Sequence, residues 1–548
     1  MEWGSTGSLG ITGDAQGPAT EVPLRWLFFC YHPQRGFCSP LIFMRYGFVI
    51  DQDRCIGCHA CTVACKQENQ VPVGVFRTWV KYVEKGEFPH TSRHFGVLRC
   101  NHCDSAPCIE ICPTGTLYRR LDGIVDFDNH RCIGCKACMQ ACPYDALYID
   151  PNTNTAAKCH YCAHRVEKNL EPACVIVCPT RAIIPGDLDD PSSQISRIVA
   201  QQKVAVRKPQ KGTDPKLFYV GVEGDLLVPT RLQQARTYFW SDRRDDDIST
   251  ETAGTADWGR WTRETYDVAH PMPWGWKIAT YLWIKSASAG TILVSAGALA
   301  LSPSSQVLRV FAPAIALAML LATLALLVHD LKRPDRFYYL LTKPNLRSWL
   351  VLGSYILMAY GASLAAWLFY GAREAVIPVE LRCITTLLAA GSAGYSAFLF
   401  AQAKGRDLWQ SPTFFWHLVV HAVIAGSATL IVVSAVAGQG GGLAFLLSEI
   451  LGIFLLISLV MNIAELVMPH VTQDVSLAMH AIARGRFRAS YWGLAIGLGL
   501  LLPVVLVSLV WVGVISLAWL PLPAVLALTG VWRFYTIWVK AGQVVPLS

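Results

Sequence analysis

Sixteen of the nineteen cysteines lie between residues 55 and 178 and fall into four quartets. These are Cys55, Cys58, Cys61 and Cys65; Cys100, Cys103, Cys108 and Cys112; Cys132, Cys135, Cys138 and Cys142; and Cys159, Cys162, Cys174 and Cys178. Thiolate is a soft ligand that suits zinc or iron–sulfur clusters. In a C-x2-C-x2-C-x3-C run, three sulfurs wrap one corner of an iron–sulfur cube and the fourth reaches a neighbouring cube. Zinc needs only two C-x2-C pairs, and it leaves the third cysteine and the Cys112-Pro113, Cys142-Pro143 and Cys178-Pro179 steps unexplained. A disulfide framework belongs to small secreted domains. The quartets therefore predict four [4Fe–4S] clusters, and Cys30, Cys38 and Cys383 read as ordinary thiols.

Elements that could hold such centres are short. MRYGFVID from Met44 reads as a strand running into the first quartet, and Leu147-Tyr148-Ile149 reads as another, with Pro143 and Asp145 as turn residues. Arg54-Cys55-Ile56-Gly57-Cys58 recurs as Arg131-Cys132-Ile133-Gly134-Cys135, which indicates a duplicated two-cluster module. The expected fold over residues 44–185 is a loop-rich α+β, ferredoxin-like domain in which inorganic cores replace much of the apolar interior. Residues 1–43, with the short apolar run Trp26-Leu27-Phe28-Phe29 that has the form of neither a span nor a signal peptide, read as a dispensable extension or as a mis-called start ahead of Met44. Residues 186–270 read as a partly ordered linker with one strand at Leu217–Val220.

From residue 271 the composition changes, and it lifts the apolar fraction of the whole chain to 53% while holding charged residues to 16%. Eight apolar stretches follow, at about 276–301, 307–329, 348–370, 377–402, 413–437, 443–467, 491–515 and 518–540. Each approaches the ~20 residues that cross a bilayer, so an all-α polytopic membrane domain of eight helices is expected over 271–548. The net charge of +8 does not point to nucleic acid, because the basic residues of this half sit in short loops between spans. Eleven cations (Lys332, Arg333, Arg336, Lys343, Arg347, Lys404, Arg406, Arg484, Arg486, Arg488 and Lys540) fall on the side that carries the cysteines. Only Arg309, Arg373 and Arg382 fall on the other, and this asymmetry puts the cysteine domain in the cytoplasm. The alternative is that these cations dock the cysteine domain or a partner subunit whichever side it faces.

RCIGCHACTVAC, CNHCDSAPCIEICP, RCIGCKACMQACP and CHYCAHRVEKNLEPACVIVCP resemble the four-cluster electron-transfer subunits of molybdopterin oxidoreductases, such as those of dimethyl sulfoxide reductase, polysulfide reductase and the NrfC-like ferredoxins. WGWKIATYLW, HDLKRPDRFYYLL, GYSAFLFAQAKGRDLW and VKAGQ resemble the NrfD-like membrane anchor of polysulfide reductase. The resemblance implies interleaved ligation. Cys178 would join Cys55, Cys58 and Cys61; Cys65 would join Cys159, Cys162 and Cys174; Cys142 would join Cys100, Cys103 and Cys108; and Cys112 would join Cys132, Cys135 and Cys138. Some relatives replace one cysteine and hold a three-iron centre, whereas this chain keeps all sixteen.

Ionisable groups inside a bilayer are costly, so each is a functional candidate. Lys285 lies about 15 Å into the first span, with Tyr281 one turn away. His329 and Asp330 close the second span, Tyr395 lies towards the same side of the fourth, and His417 and His421 lie one turn apart on the fifth. Tyr281, Lys285, Asp330 and Tyr395 could bind the ring oxygens of a menaquinone or ubiquinone and supply its protons. The milder readings are that Lys285 snorkels or meets a carboxylate, that Asp330 caps a helix or neutralises Lys332 and Arg333, and that Tyr395 anchors at the interface. Glu449, Glu465 and Arg533 fit either a proton path or an ion pair. Haem is not expected, because His417 and His421 share one face of one helix and the resembled anchors lack it.

The expected role is an electron-transfer and membrane-anchor subunit of the bacterial cytoplasmic membrane. It would work between quinone and a separate molybdopterin-containing catalytic subunit, with membrane lipid around it and no nucleic acid. A redox-driven ion translocator is the alternative.

Overall fold

The computed structural model describes residues 44–548 apart from 88, 223, 235–261, 374–375 and 439–440. The expected extension 1–43, with Cys30 and Cys38, lies outside the described residues.

The strand Tyr46–Asp51 is central in a three-stranded sheet, antiparallel to Ile183–Asp187 and parallel to Leu217–Val220. Side chains alternate across a strand, and both faces of this one are covered. Phe48 and Ile50 pack among cysteines, while Val49 packs on Ile184 and on Ile195 of the helix Gln194–Gln201. A second sheet joins the hairpin Thr78–Glu87 and His90–Arg99 to Thr262–Tyr266 and Gln233–Gln234. Two small hairpins, Leu117–Arg119 with Val125–Phe127 and Leu147–Ile149 with Ala156–Lys158, sit between the cysteine quartets.

The expectation of a linker over 186–270 needs correction. Its described residues give strands to both sheets, and its charges are used inside the fold. Lys216 pairs with Asp104 at 3.0 Å, and Glu264 with Lys81 at 2.5 Å, both lysines and Glu264 being buried. A composition that reads as solvated is here turned inward in pairs.

Eight helices are long and apolar enough to cross a membrane: Trp276–Leu301, Val307–Asp330, Trp349–Ala372, Val379–Ala401, Thr413–Val436, Gly442–Val467, Ser490–Trp511 and Leu517–Ala541. The first and fifth spans form the centre of the bundle and cross at Gly290 and Gly426. A Cβ on Gly290 would run into the Ala422 carbonyl, and one on Gly426 into the Gly290 backbone, so only glycine permits the approach.

Candidate functional site

The repeated RCIGC segments adopt the same backbone. Gly57 and Gly134 both have φ of 69°, and His59 (φ 58°) and Lys136 (φ 64°) precede short helices that carry the next cysteines. This left-handed turn folds the chain back so that cysteines close in sequence converge.

Cys55, Cys58, Cys61 and Cys178 line one cavity of about 330 Å³. Cys65, Cys159, Cys162 and Cys174 line another of about 270 Å³. Cys100, Cys103, Cys108 and Cys142 lie within electrostatic reach of one another, as do Cys112, Cys132, Cys135 and Cys138. Burial, and then neighbouring sulfurs, push the thiols up, Cys135 to about 12. Burial pushes Cys61 to about 11 against the opposing pull of Arg99. Four buried thiolates in one set repel, and a polycationic core would offset both the repulsion and the desolvation. Among the described residues no three His, Cys, Asp or Glu side chains converge where a single metal ion would reach them all. That spacing suits a multinuclear core better than a tetrahedral zinc.

The sets form a row. Cys61 of the first lies within electrostatic reach of Cys174 of the second, Cys159 of the second within reach of Cys100 of the third, and Cys108 of the third within reach of Cys138 of the fourth. At the first set the row opens to solvent: Cys58 is exposed, and Ile56, Val63 and Ile176 are 57%, 65% and 55% exposed around it. At the fourth set it is sealed against the membrane bundle. Trp274 Nε1 donates to the Cys135 carbonyl at 3.4 Å, Asn345 Nδ2 to that of Cys112 at 2.8 Å, and Arg336 Nη1 to that of Cys132 at 3.2 Å. Gly405 abuts the Gln140 and Cys142 carbonyls so closely that a Cβ would not fit.

Residues 543–548 fill the rest of this seam. Gln140 Nε2 donates to Gln543 Oε1 at 2.7 Å, Arg406 Nη1 to the Val545 carbonyl at 3.1 Å and Arg207 Nη2 to that of Leu547 at 2.8 Å. Lys81 Nζ reaches the Ser548 carbonyl at 3.0 Å, and the Ser548 hydroxyl lies 3.1 Å from His270 Nε2. His270 also meets Asp145 at 2.5 Å and Asp267 at 3.3 Å. Burial disfavours its charge, but the two carboxylates outweigh burial and raise it to about 10.

The membrane candidates divide. Lys285 Nζ donates to the carbonyls of Ser392 (2.7 Å) and Ala393 (3.1 Å) and to Ser396 Oγ (2.8 Å), and it lies 4.4 Å over the Tyr395 ring. It neither snorkels nor bonds a carboxylate; it ties the first span to the fourth. Tyr281 and Tyr395 are buried beside it around Ser396. Asp330 lies within electrostatic reach of Tyr281 but spends its carboxylate at the seam, accepting a 2.8 Å bond from Lys136, the residue after Cys135. Sequence reasoning missed this partner, although Lys136 and Asp330 both sit within motifs already singled out.

His417 Nε2 lies 3.2 Å from Glu465 Oε2, whose Oε1 accepts from Thr413 at 2.8 Å, and His421 Nε2 lies 3.3 Å from Ser458 Oγ. Glu449 and Glu465 lie in opposite halves of the sixth span, about 24 Å apart along the axis, and Arg533 bonds Ser490 on the seventh. His329 contributes its carbonyl to Lys277 at 3.4 Å, and Cys383 is exposed on the fourth span.

Comparison with known proteins covers both halves. Residues 265–546 match the family model described as polysulphide reductase, NrfD. Residues 46–67 match a 4Fe-4S binding domain and residues 92–188 a 4Fe-4S dicluster domain. The chain is 44% identical over 228 residues to the B subunit of tetrathionate reductase from Salmonella typhimurium, covering 41% of this chain and 90% of that protein. It is 41% identical over 179 residues to the B component of polysulfide reductase from Wolinella succinogenes (32% and 94%), and 45% over 180 residues to protein NrfC of Escherichia coli (32% and 81%).

Proposed function

Because the protein belongs to the polysulphide reductase NrfD family, with an iron–sulfur electron-transfer subunit fused ahead of the membrane anchor, we propose that it links membrane quinone to a separate catalytic subunit. The carrying observation is the row of four cysteine sets, open at one end and sealed on the membrane bundle at the other. The four sets, interleaved as described, would hold four [4Fe–4S] clusters, which supply single-electron transfer when bound.

Menaquinone or ubiquinone is the membrane reactant in this reading. Tyr281 and Tyr395 supply hydroxyls, and Lys285 holds the fourth span in place behind them. Asp330, at the seam beside the fourth set, would carry protons between the quinone and the aqueous side. The partner is a molybdopterin-containing catalytic subunit meeting the open end, where Cys58 and the apolar Ile56, Val63 and Ile176 face solvent. Residues 44–185 form the cluster core, the described residues of 186–270 complete its sheets, and 271–548 form the anchor.

The location is the bacterial cytoplasmic membrane, with the cluster domain on the cytoplasmic side. Five of the eleven loop cations, Lys332, Arg333, Arg336, Lys404 and Arg406, touch the cluster domain and so serve docking. The other six, against three opposite, support the orientation. A second reading, coupled ion movement, draws on the Thr413–Glu465–His417 contacts followed by His421 and Ser458 inside the bundle.

Protein purified anaerobically into lipid nanodiscs and mixed with reduced quinol tests the proposal. The iron–sulfur absorbance bleaches in the natural chain, and Cys138→Ser reduces quinol-driven electron delivery to an external acceptor nearly to background. Full iron and sulfide content with no bleaching by either quinol would overturn the quinone link.

A further inference from the structure

Arg99 closes the strand His90–Arg99 and is 0% exposed. Its Nη1 donates to Cys174 Sγ at 3.1 Å, its guanidinium lies 4.7 Å over the Phe48 ring, and it lines the cavity of Cys65, Cys159, Cys162 and Cys174. Its Nε and Nη2 are buried without a hydrogen-bond partner. Lys81, Lys216 and Lys136 are matched by the carboxylates of Glu264, Asp104 and Asp330, and Lys158 and Arg207, which are also buried, donate to backbone carbonyls. Among the described residues Arg99 has no such ion pair, and the groups of opposite potential charge around it are the sulfurs of Cys174, Cys159 and Cys61.

A wholly buried guanidinium without a carboxylate is unfavourable unless another anion faces it. Four thiolates carrying an iron–sulfur core form such an anion, and accepting one electron adds one more negative charge. A fixed cation beside the core stabilises the reduced form more than the oxidised one, and a hydrogen bond to a ligand sulfur acts in the same direction.

Resting on the four-cluster reading above, we propose that Arg99 is a positioning charge that raises the reduction potential of the cluster held by Cys65, Cys159, Cys162 and Cys174 and so sets the second step of the row. Its reach to Cys61 gives the neighbouring cluster at the open end a smaller shift of the same sign. The electron arrives from one adjacent cluster and leaves to the other, with no bond made or broken.

A redox titration followed by electron paramagnetic resonance, on the whole chain as Arg99→Gln and Arg99→Lys, tests this. In Arg99→Gln one midpoint falls clearly, a second falls less, and two stay in place; in Arg99→Lys, which keeps the charge, the first recovers most of its value. If Arg99→Gln fails to retain that cluster while Arg99→Lys retains it, the requirement for charge is also upheld. Natural midpoints in Arg99→Gln at full iron content would overturn the proposal, as would loss of the cluster from both variants. Absence of iron and acid-labile sulfide from the natural chain would instead sink the four-cluster reading.

Discussion

The two ends of the cysteine row are built from similar motifs and finished in opposite ways. At the first set, the RCIGC turn leaves Cys58 exposed and Ile56 turned to water. At the fourth, the same turn, with the same glycine conformation, has Ile133 buried and Lys136 held by Asp330. The motif sets the local fold of the turn, and the surface laid over it decides whether that end stands open to solvent or is covered by the membrane bundle. One duplicated unit thereby acquires a direction.

Breaking the sealed end carries the largest expected effect. Asp330→Ala leaves Lys136 buried without its carboxylate, which costs about 3 kcal/mol and loosens the seam. Quinol-driven reduction falls with it, measured as the bleaching rate, while iron content stays unchanged. Lys136→Met with Asp330→Leu sharpens the point, since an apolar pair restores thermal stability but not the rate if Asp330 also handles protons.

At the open end, Ile56→Asp places a charge in the apolar rim. It weakens binding of the catalytic partner by about tenfold to a hundredfold in a titration on immobilised protein and leaves quinol-driven bleaching untouched.

The smallest effect concerns His270. Its folded pKa is raised to about 10, so the stability it adds is complete below about 6.5 and is lost as pH climbs towards 10. The gap in melting temperature between the natural chain and His270→Gln therefore narrows over that range.

Much of this was legible from the sequence, because both halves obey strong rules. Cysteine spacing marks the metal region whatever surrounds it, and uninterrupted apolar runs mark spans, so the eight helices lie within a few residues of expectation except where the seventh ends at Trp511. The linker was misread because pairing hides charge: Lys81 with Glu264 and Lys216 with Asp104 are buried, yet each looks solvated when read alone. Lys285 showed the opposite failure. A lone intramembrane lysine suggests chemistry or a carboxylate partner, but the backbone carbonyls of Ser392 and Ala393, which no sequence pattern announces, satisfy it. Arg99 was invisible for a related reason, since its meaning depends on the Cys174 sulfur 75 residues away.

The seam has a consequence for biosynthesis. Gln543, Val545 and Leu547 bind Gln140, Arg406 and Arg207, yet they leave the ribosome only after all eight spans have been made. The contacts that Trp274, Arg336 and Asn345 make with the fourth cysteine set need only the first two spans and the loop after them, so docking starts early, and residues 543–548 close the rest of the seam once the eighth span is made.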